Sequence, residues 1–169
     1  MRTLHYSSII DNDVANGPGF RVSLFVSGCR NRCPGCFNKD AWDFDYGKPF
    51  TLEALLKLDN TLENPNIAGL SILGGDPFEP ENIEMVEAIC EYVRAWHGNS
   101  KSIWVWTGYD FLEDDLIDLP IMKYIDVLVD GRFEEDKKDL TLKWRGSSNQ
   151  RVIDIQESLR TGKTVLLCE

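Results

Sequence analysis

At 169 residues, with 43% hydrophobic and 27% charged side chains, the chain reads as one globular domain, 1–169, able to bury roughly 70% of its unfolded surface. Its 18 basic against 28 acidic residues, net −10, speak against a nucleic-acid binder, which would show a basic stripe. No apolar run approaches the about 20 residues of a membrane helix. Five cysteines, an odd number with three clustered, fit a reducing cytoplasm better than a disulfide framework.

The start, Met1-Arg2-Thr3-Leu4-His5, lacks the apolar segment of a signal peptide. The first expected strand is Phe20–Ser27, a β-branched and aromatic run. It leads into Gly28-Cys29-Arg30-Asn31-Arg32-Cys33-Pro34-Gly35-Cys36-Phe37-Asn38. The spacing Cys29-x-x-x-Cys33-x-x-Cys36 offers three thiolates on one tight loop. That is one short of a closed zinc site and one short of the usual four around a 4Fe–4S cluster. A cube held by three thiolates leaves one iron open to a substrate. Gly28, Pro34 and Gly35 suit a loop whose backbone must turn toward sulfur. Two other readings stay open: a structural zinc completed by His5, His97, Cys90 or Cys168, and a set of unrelated core thiols. A zinc ribbon normally brings a second Cys-x-x-Cys pair, which the chain does not have.

Thr51 is the expected N-cap of a helix through Asn60, with Leu52, Leu55, Leu56 and Leu62 on one face. A strand at Ala68–Leu73 ends on Gly74-Gly75-Asp76-Pro77, which can present backbone groups and a carboxylate to an ammonium group. Pro80 suits the first turn of a second helix, where Ile83, Val86, Ile89, Cys90 and Val93 keep a 3-to-4 spacing. Cys90 then reads as a small core residue. Strands at Ile103–Thr107 and Ile125–Val129 end on Trp106-Thr107-Gly108-Tyr109 and Asp130-Gly131-Arg132-Phe133. Trp106 and Tyr109 serve either packing or an adenine-facing strand end. Asp130 and Arg132 form either a surface ion pair or a site in which Arg132 grips a ligand carboxylate in bidentate fashion. The polar stretch Glu134–Gln150 reads as a loop facing a partner. Val152–Ile155 and Thr164–Leu167 bring the expected strands to six. Alternating strands and helices imply right-handed β-α-β units on a mainly parallel sheet, an α/β fold with ligands at the C-terminal strand ends.

The cysteine run, followed by Trp42, resembles the cluster loop of the activating proteins of anaerobic ribonucleoside-triphosphate reductase, a family of radical S-adenosylmethionine enzymes. Gly74-Gly75-Asp76-Pro77 is similar to the Gly-Gly-Glu-Pro segment of radical enzymes, with Asp76 in place of the glutamate. The Trp106–Tyr109 and Asp130–Phe133 motifs resemble two further strand-end motifs of the activases. Trp144-Arg145-Gly146-Ser147-Ser148-Asn149-Gln150-Arg151 resembles their C-terminal signature.

The resemblance implies an open, partial (β/α)6-type barrel and a 4Fe–4S cluster on Cys29, Cys33 and Cys36 alone. It implies S-adenosylmethionine at the open iron, with cofactor contacts at Gly35, Cys36, Phe37, Gly74, Gly75, Asp76, Asp130 and Arg132. Asp76 and the Gly74-Gly75 backbone would hold the methionyl amino group. The implied chemistry is reductive cleavage to methionine and a 5′-deoxyadenosyl radical, which takes hydrogen from a glycine on the large subunit of the anaerobic (class III) ribonucleotide reductase. A low-potential donor such as reduced flavodoxin would supply the electron. No Ser/His/Asp or paired-carboxylate constellation suggests hydrolysis instead. Other candidate functions are activation of pyruvate formate-lyase or a similar glycyl radical enzyme, deazaguanine ring contraction, a non-catalytic iron–sulfur electron carrier, and a zinc-stabilised binding module.

Overall fold

The computed structural model describes residues 2–168 and builds them around one eight-stranded sheet of order β3-β1-β2-β4-β5-β6-β7-β8. The strands are β1 (His5–Asp13), β2 (Phe20–Val26), β3 (Lys48–Pro49), β4 (Ile67–Gly74), β5 (Ser102–Trp106), β6 (Val127–Asp130), β7 (Arg151–Asp154) and β8 (Leu166–Cys168). The helices are α1 (Leu52–Leu62), α2 (Ile83–His97) and α3 (Ile155–Thr161). No helix among the described residues is long and apolar enough to cross a membrane.

Parallel pairing holds only in the centre, along β2-β4-β5-β6. Connection length explains this. Parallel neighbours need a long crossover, and α1, α2 and the 3-10 turns Leu116–Asp118 and Pro120–Tyr124 supply three of them. β1 reaches β2 through a short Gly-Pro-Gly turn, and β6 reaches β7 with no α-helix between, so both pairs are antiparallel. The expectation of a mainly parallel sheet thus describes the centre and not the four flanking pairings. The count of six strands omits β1 and β3. β1, His-Tyr-Ser-Ser-Ile-Ile-Asp-Asn-Asp, carries little β-propensity, and edge pairing with β2 makes it a strand.

α1 begins where expected, with the Thr51 hydroxyl accepting from the Ala54 N–H at 3.4 Å. Its buried face keeps Leu62 of the expected residues, with Leu55 partly buried against the core. Ala54, Leu58 and Leu62 face the sheet, whereas Leu52 and Leu56 stay 69% and 52% exposed. Residues two apart on a helix point nearly opposite ways, so 52/56 and 54/58/62 compete as stripes. The second contacts the core. α2 starts at Ile83, so Pro80 lies in the preceding turn rather than inside the helix. Val86, Ile89, Cys90 and Val93 are buried as expected.

The main core lies between the helices and one sheet face, with Val22, Leu24, Leu70, Ile72, Ile103 and Val105 among its strand residues. A second cluster forms on the opposite face from Trp104, Val127, Val129 and Val152, with Trp106, Trp144 and Cys168 against it. Segment 138–150 covers that face. Trp144 meets Trp104 edge-on at 4.9 Å and accepts the Trp106 indole N–H on its carbonyl at 2.7 Å. Towards the N-terminal strand ends, the buried Arg21 ties β2 to β4 and β5 through Ser71 Oγ (2.7 Å), Ser102 Oγ (2.9 Å), and the Leu70 and Ser102 carbonyls (3.0 Å each). Burial pulls its guanidinium down to about 10, so it is still charged at neutral pH.

Candidate metal centre

The C-terminal ends of β2, β4, β5 and β6 meet at one end of the sheet, and backbone hydrogen bonds join them. Gly75 N–H donates to the Val26 carbonyl at 2.6 Å, Asp76 N–H to the Gly28 carbonyl at 2.8 Å, and Gly131 N–H to the Tyr109 carbonyl at 3.1 Å. Two glycines make the approach possible. A Cβ on Gly75 would lie 2.6 Å from the Gly28 carbonyl oxygen, and one on Gly108 would lie 2.3 Å from Asn31 Nδ2. The cysteine loop, the Gly-Gly-Asp-Pro turn and the Thr107-Gly108 turn therefore form one packed unit.

Cys29, Cys33 and Cys36 are all half-buried free thiols on this unit. A turn closes Cys33 to Cys36, with Cys36 N–H donating to the Cys33 carbonyl at 3.1 Å. The Asn38 N–H reaches Cys36 Sγ at 3.4 Å, and the Phe133 N–H is directed at the Cys33 thiol. Burial pushes the Cys29 thiol up to about 11, and the Asp76 and Glu79 charges add to it. Burial likewise raises Cys33, against a lowering pull from the Arg132 charge. Among the described residues no three His, Cys, Asp or Glu side chains are gathered to hold a single metal ion. A 4Fe–4S cube asks for something different, because each thiolate binds its own iron and the sulfurs stand further apart. Three thiols on one arc, with backbone N–H groups already aimed at two sulfurs, fit that group.

The supernumerary ligands weighed for zinc lie elsewhere. Cys90 is fully buried in the main core and Cys168 packs on the tryptophan cluster. His97 Nε2 stands 2.7 Å from Asp59 Oδ1, bridging α2 and α1. His5 is on β1, with Nδ1 near the Thr3 carbonyl.

Other expected site residues divide. Arg132 is exposed, makes no ion pair among the described residues, and lines an open cleft of about 580 Å³ with Asn31, Cys33, Pro34 and Phe133. Gly35 sits under Glu135, whose Cδ would be 2.7 Å from a Cβ placed there. Phe37 is 88% exposed and projects from the loop. Gly74 ends β4 at φ +109 beside the Val26 backbone.

Two expectations need correction. Asp130 is buried and pairs across β6–β7 with Arg151, whose Nε donates to Oδ1 at 3.0 Å, while Phe111 N–H donates to Oδ2 at 2.8 Å. It ties β6 to β7 and is not the partner of Arg132. Of the two readings of Trp106, packing holds: it lies in the tryptophan cluster, which leaves Tyr109 alone near the strand end. Asp76 is the second correction. Its Oδ1 accepts from Phe78 N–H (3.0 Å) and the Thr107 hydroxyl (2.8 Å), and its Oδ2 from Gly108 N–H and Asn31 Nδ2 (2.8 Å each). Burial pushes its carboxyl up to about 6, so it is ionised at neutral pH, as four donors require. With both oxygens occupied, Asp76 acts as the latch of the cysteine loop rather than as an open acceptor.

The residues that sequence reasoning passed over complete this latch. Arg30 donates from Nη1 to Glu79 Oε2 at 2.8 Å and pairs with Glu81, and its N–H meets Glu79 Oε1 at 2.7 Å. Asn82, in place of capping α2, sends its amide to the Ser27 and Asp76 carbonyls at 3.0 and 2.9 Å. Polar Arg30-Asn31 between cysteines, with acids shortly after Asp76, was the available signal.

Comparison with known proteins agrees with this geometry. Residues 15–153 match the family described as a 4Fe-4S single cluster domain. The anaerobic ribonucleoside-triphosphate reductase-activating protein of Salmonella typhi is 44% identical over 151 residues, covering 88% of this chain and 97% of that protein. The Escherichia coli K12 protein of the same name is 43% identical with the same coverage. That of Enterobacteria phage T4 is 41% identical over 149 residues, covering 88% and 93%.

Proposed function

The chain belongs to the family of anaerobic ribonucleoside-triphosphate reductase-activating proteins, and we propose that it activates the class III reductase by radical S-adenosylmethionine chemistry. The observation that carries this is the convergence of four motif-bearing strand ends on one loop with three half-buried thiols. When bound and reduced, a 4Fe–4S cluster on Cys29, Cys33 and Cys36 would supply the electron that splits S-adenosylmethionine to methionine and a 5′-deoxyadenosyl radical, which takes a hydrogen atom from a reductase glycine. The fold we read in this is the open partial barrel of radical enzymes, its mouth at the same strand ends.

The chain's own contribution is position. Asn31 and Arg30 hold the loop to the Gly-Gly-Asp-Pro turn, so the thiols keep a fixed spacing. Arg132, with no carboxylate of its own, is free to pair with the methionyl carboxylate beside Cys33. The Gly74-Gly75 turn offers backbone at the opposite side, and the covering 138–150 segment keeps water from the tryptophan face. The reductase large subunit is the protein substrate in this reading, and a low-potential donor such as reduced flavodoxin feeds the cluster.

Anaerobic iron–sulfide reconstitution tests it. Wild type should bind about four irons per chain and show a reduced EPR signal that changes with S-adenosylmethionine. Each of Cys29→Ala, Cys33→Ala and Cys36→Ala should lose most iron, whereas Cys90→Ala and Cys168→Ala should keep it. A signal indifferent to S-adenosylmethionine would make the protein an electron carrier instead.

A further inference from the structure

A fully buried carboxylate, Glu79, stands one peptide unit from Cys29 and ligates nothing. It receives the Arg30 N–H at 2.7 Å and the Arg30 guanidinium at 2.8 Å. Its compensating cation sits differently. The Arg30 side chain is 54% exposed, lies over the Phe44 ring at 4.6 Å, and shares its charge with Glu81 at the rim. The negative charge is therefore in the protein interior and the positive one at the border with solvent. A second buried carboxylate, Asp76, is held by neutral donors only, so among the described residues Arg30 is the one cation paired to this buried acidic pair. Charge at this range acts on a redox group through a low-dielectric medium, where it is poorly screened.

We propose that Arg30 and Glu79 form a charge-setting pair for the metal centre: Glu79 lowers the reduction potential of the cluster, Arg30 raises it, and the Arg30 N–H bond to Glu79 fixes their distance from Cys29. The inference rests on the ligation of the cluster by Cys29, Cys33 and Cys36. Reduction adds one electron and needs no proton from either residue. The pair touches no substrate and acts through the loop, so these are positioning residues.

Anaerobic potentiometric titration of the reconstituted full-length protein, read by the EPR of the reduced cluster, decides it. Glu79→Gln keeps an acceptor for the Arg30 N–H and removes the charge, and should raise the potential. Arg30→Gln should lower it. The Glu79→Gln change is expected at about tenfold in the one-electron equilibrium, the order expected of a buried unit charge removed at close range, which equals 59 mV. The Arg30→Gln change, at a side chain 54% exposed, is expected to be smaller and opposite in sign. Arg30→Lys should remain near wild type, and the double variant should return toward it. A merely structural pair would instead shift both variants the same way. Should Arg30→Gln fail to hold a cluster, Glu79→Gln alone decides, and an unmoved or lowered potential there overturns the inference. Iron content reports separately on the ligands: Cys29→Ala with full iron overturns the ligation, whereas full iron with an unmoved potential in Glu79→Gln overturns only the charge pair.

Discussion

Asp76 shows how little of a buried carboxylate's role follows from its type. Four donors from the cysteine loop, its own turn and the β5 end all terminate on it. In Asp76→Asn one oxygen becomes an NH2 facing two of those donors, so two hydrogen bonds vanish and two buried donors lose their acceptor. At about 1–3 kcal/mol for each unsatisfied group, the variant should lose about 2–6 kcal/mol. Asp76→Glu supplies the longer acid of the Gly-Gly-Glu-Pro segment that this turn resembles, but inserts a methylene into a site only 1% exposed, at about 1–3 kcal/mol. Urea unfolding of the iron-free protein measures both without cofactor effects. An Asn variant unfolding at the wild-type midpoint would show that the latch contributes nothing.

At the scale of elements, what was legible was local. Strand positions β2, β4, β5, β6 and β7 stand in the sequence within two residues, because short apolar runs between turn residues have few other uses. The three cysteines and the strand-end glycines were equally plain. The strands β1 and β3 were not, since β1 depends on pairing with β2 and β3 is two residues long. Nor was the α1 face, where five leucines supply two stripes and only the approach of β4 and β2 selects one. Asp130–Arg151 was hidden for the same reason, a cross-strand pair set by an antiparallel register. The α1 choice predicts an asymmetry between two leucines only two residues apart. Leu58→Ala, at 1% exposure, should cost about 2–4 kcal/mol. Leu56→Ala should stay within about 0.5 kcal/mol. Thermal or urea midpoints check this, and equal losses would mean that α1 packs by its other stripe.

For the whole molecule, the distribution of exposed apolar surface separates handling of the cofactor from handling of a protein substrate. Phe37 on the cysteine loop and Leu140 in the polar connection to β7 are each 88% exposed, the most of any large hydrophobic described. Segment 134–150 holds itself in shape, with Ser147 Oγ accepting from Glu134 N–H at 3.1 Å and the Gln150 amide donating to the Gly131 carbonyl at 3.0 Å. It therefore presents Leu140 and Lys138 on an ordered surface rather than on a loose chain. Lys137 is engaged with Glu134, which makes Lys138 the cleaner site for a charge change. If this segment meets the reductase, Leu140→Ser and Lys138→Glu should leave iron content and uncoupled cleavage of S-adenosylmethionine near wild type, since neither side chain touches the thiols. Both should lower the glycyl radical yield, read as the EPR doublet after anaerobic mixing with the large subunit, severalfold or more. Full radical yield in the double variant would place the docking surface elsewhere, with Phe37→Ser as the next position to examine. A wild-type protein that cleaves the nucleoside yet never produces the doublet would turn the same surface into the wall of a small-molecule site.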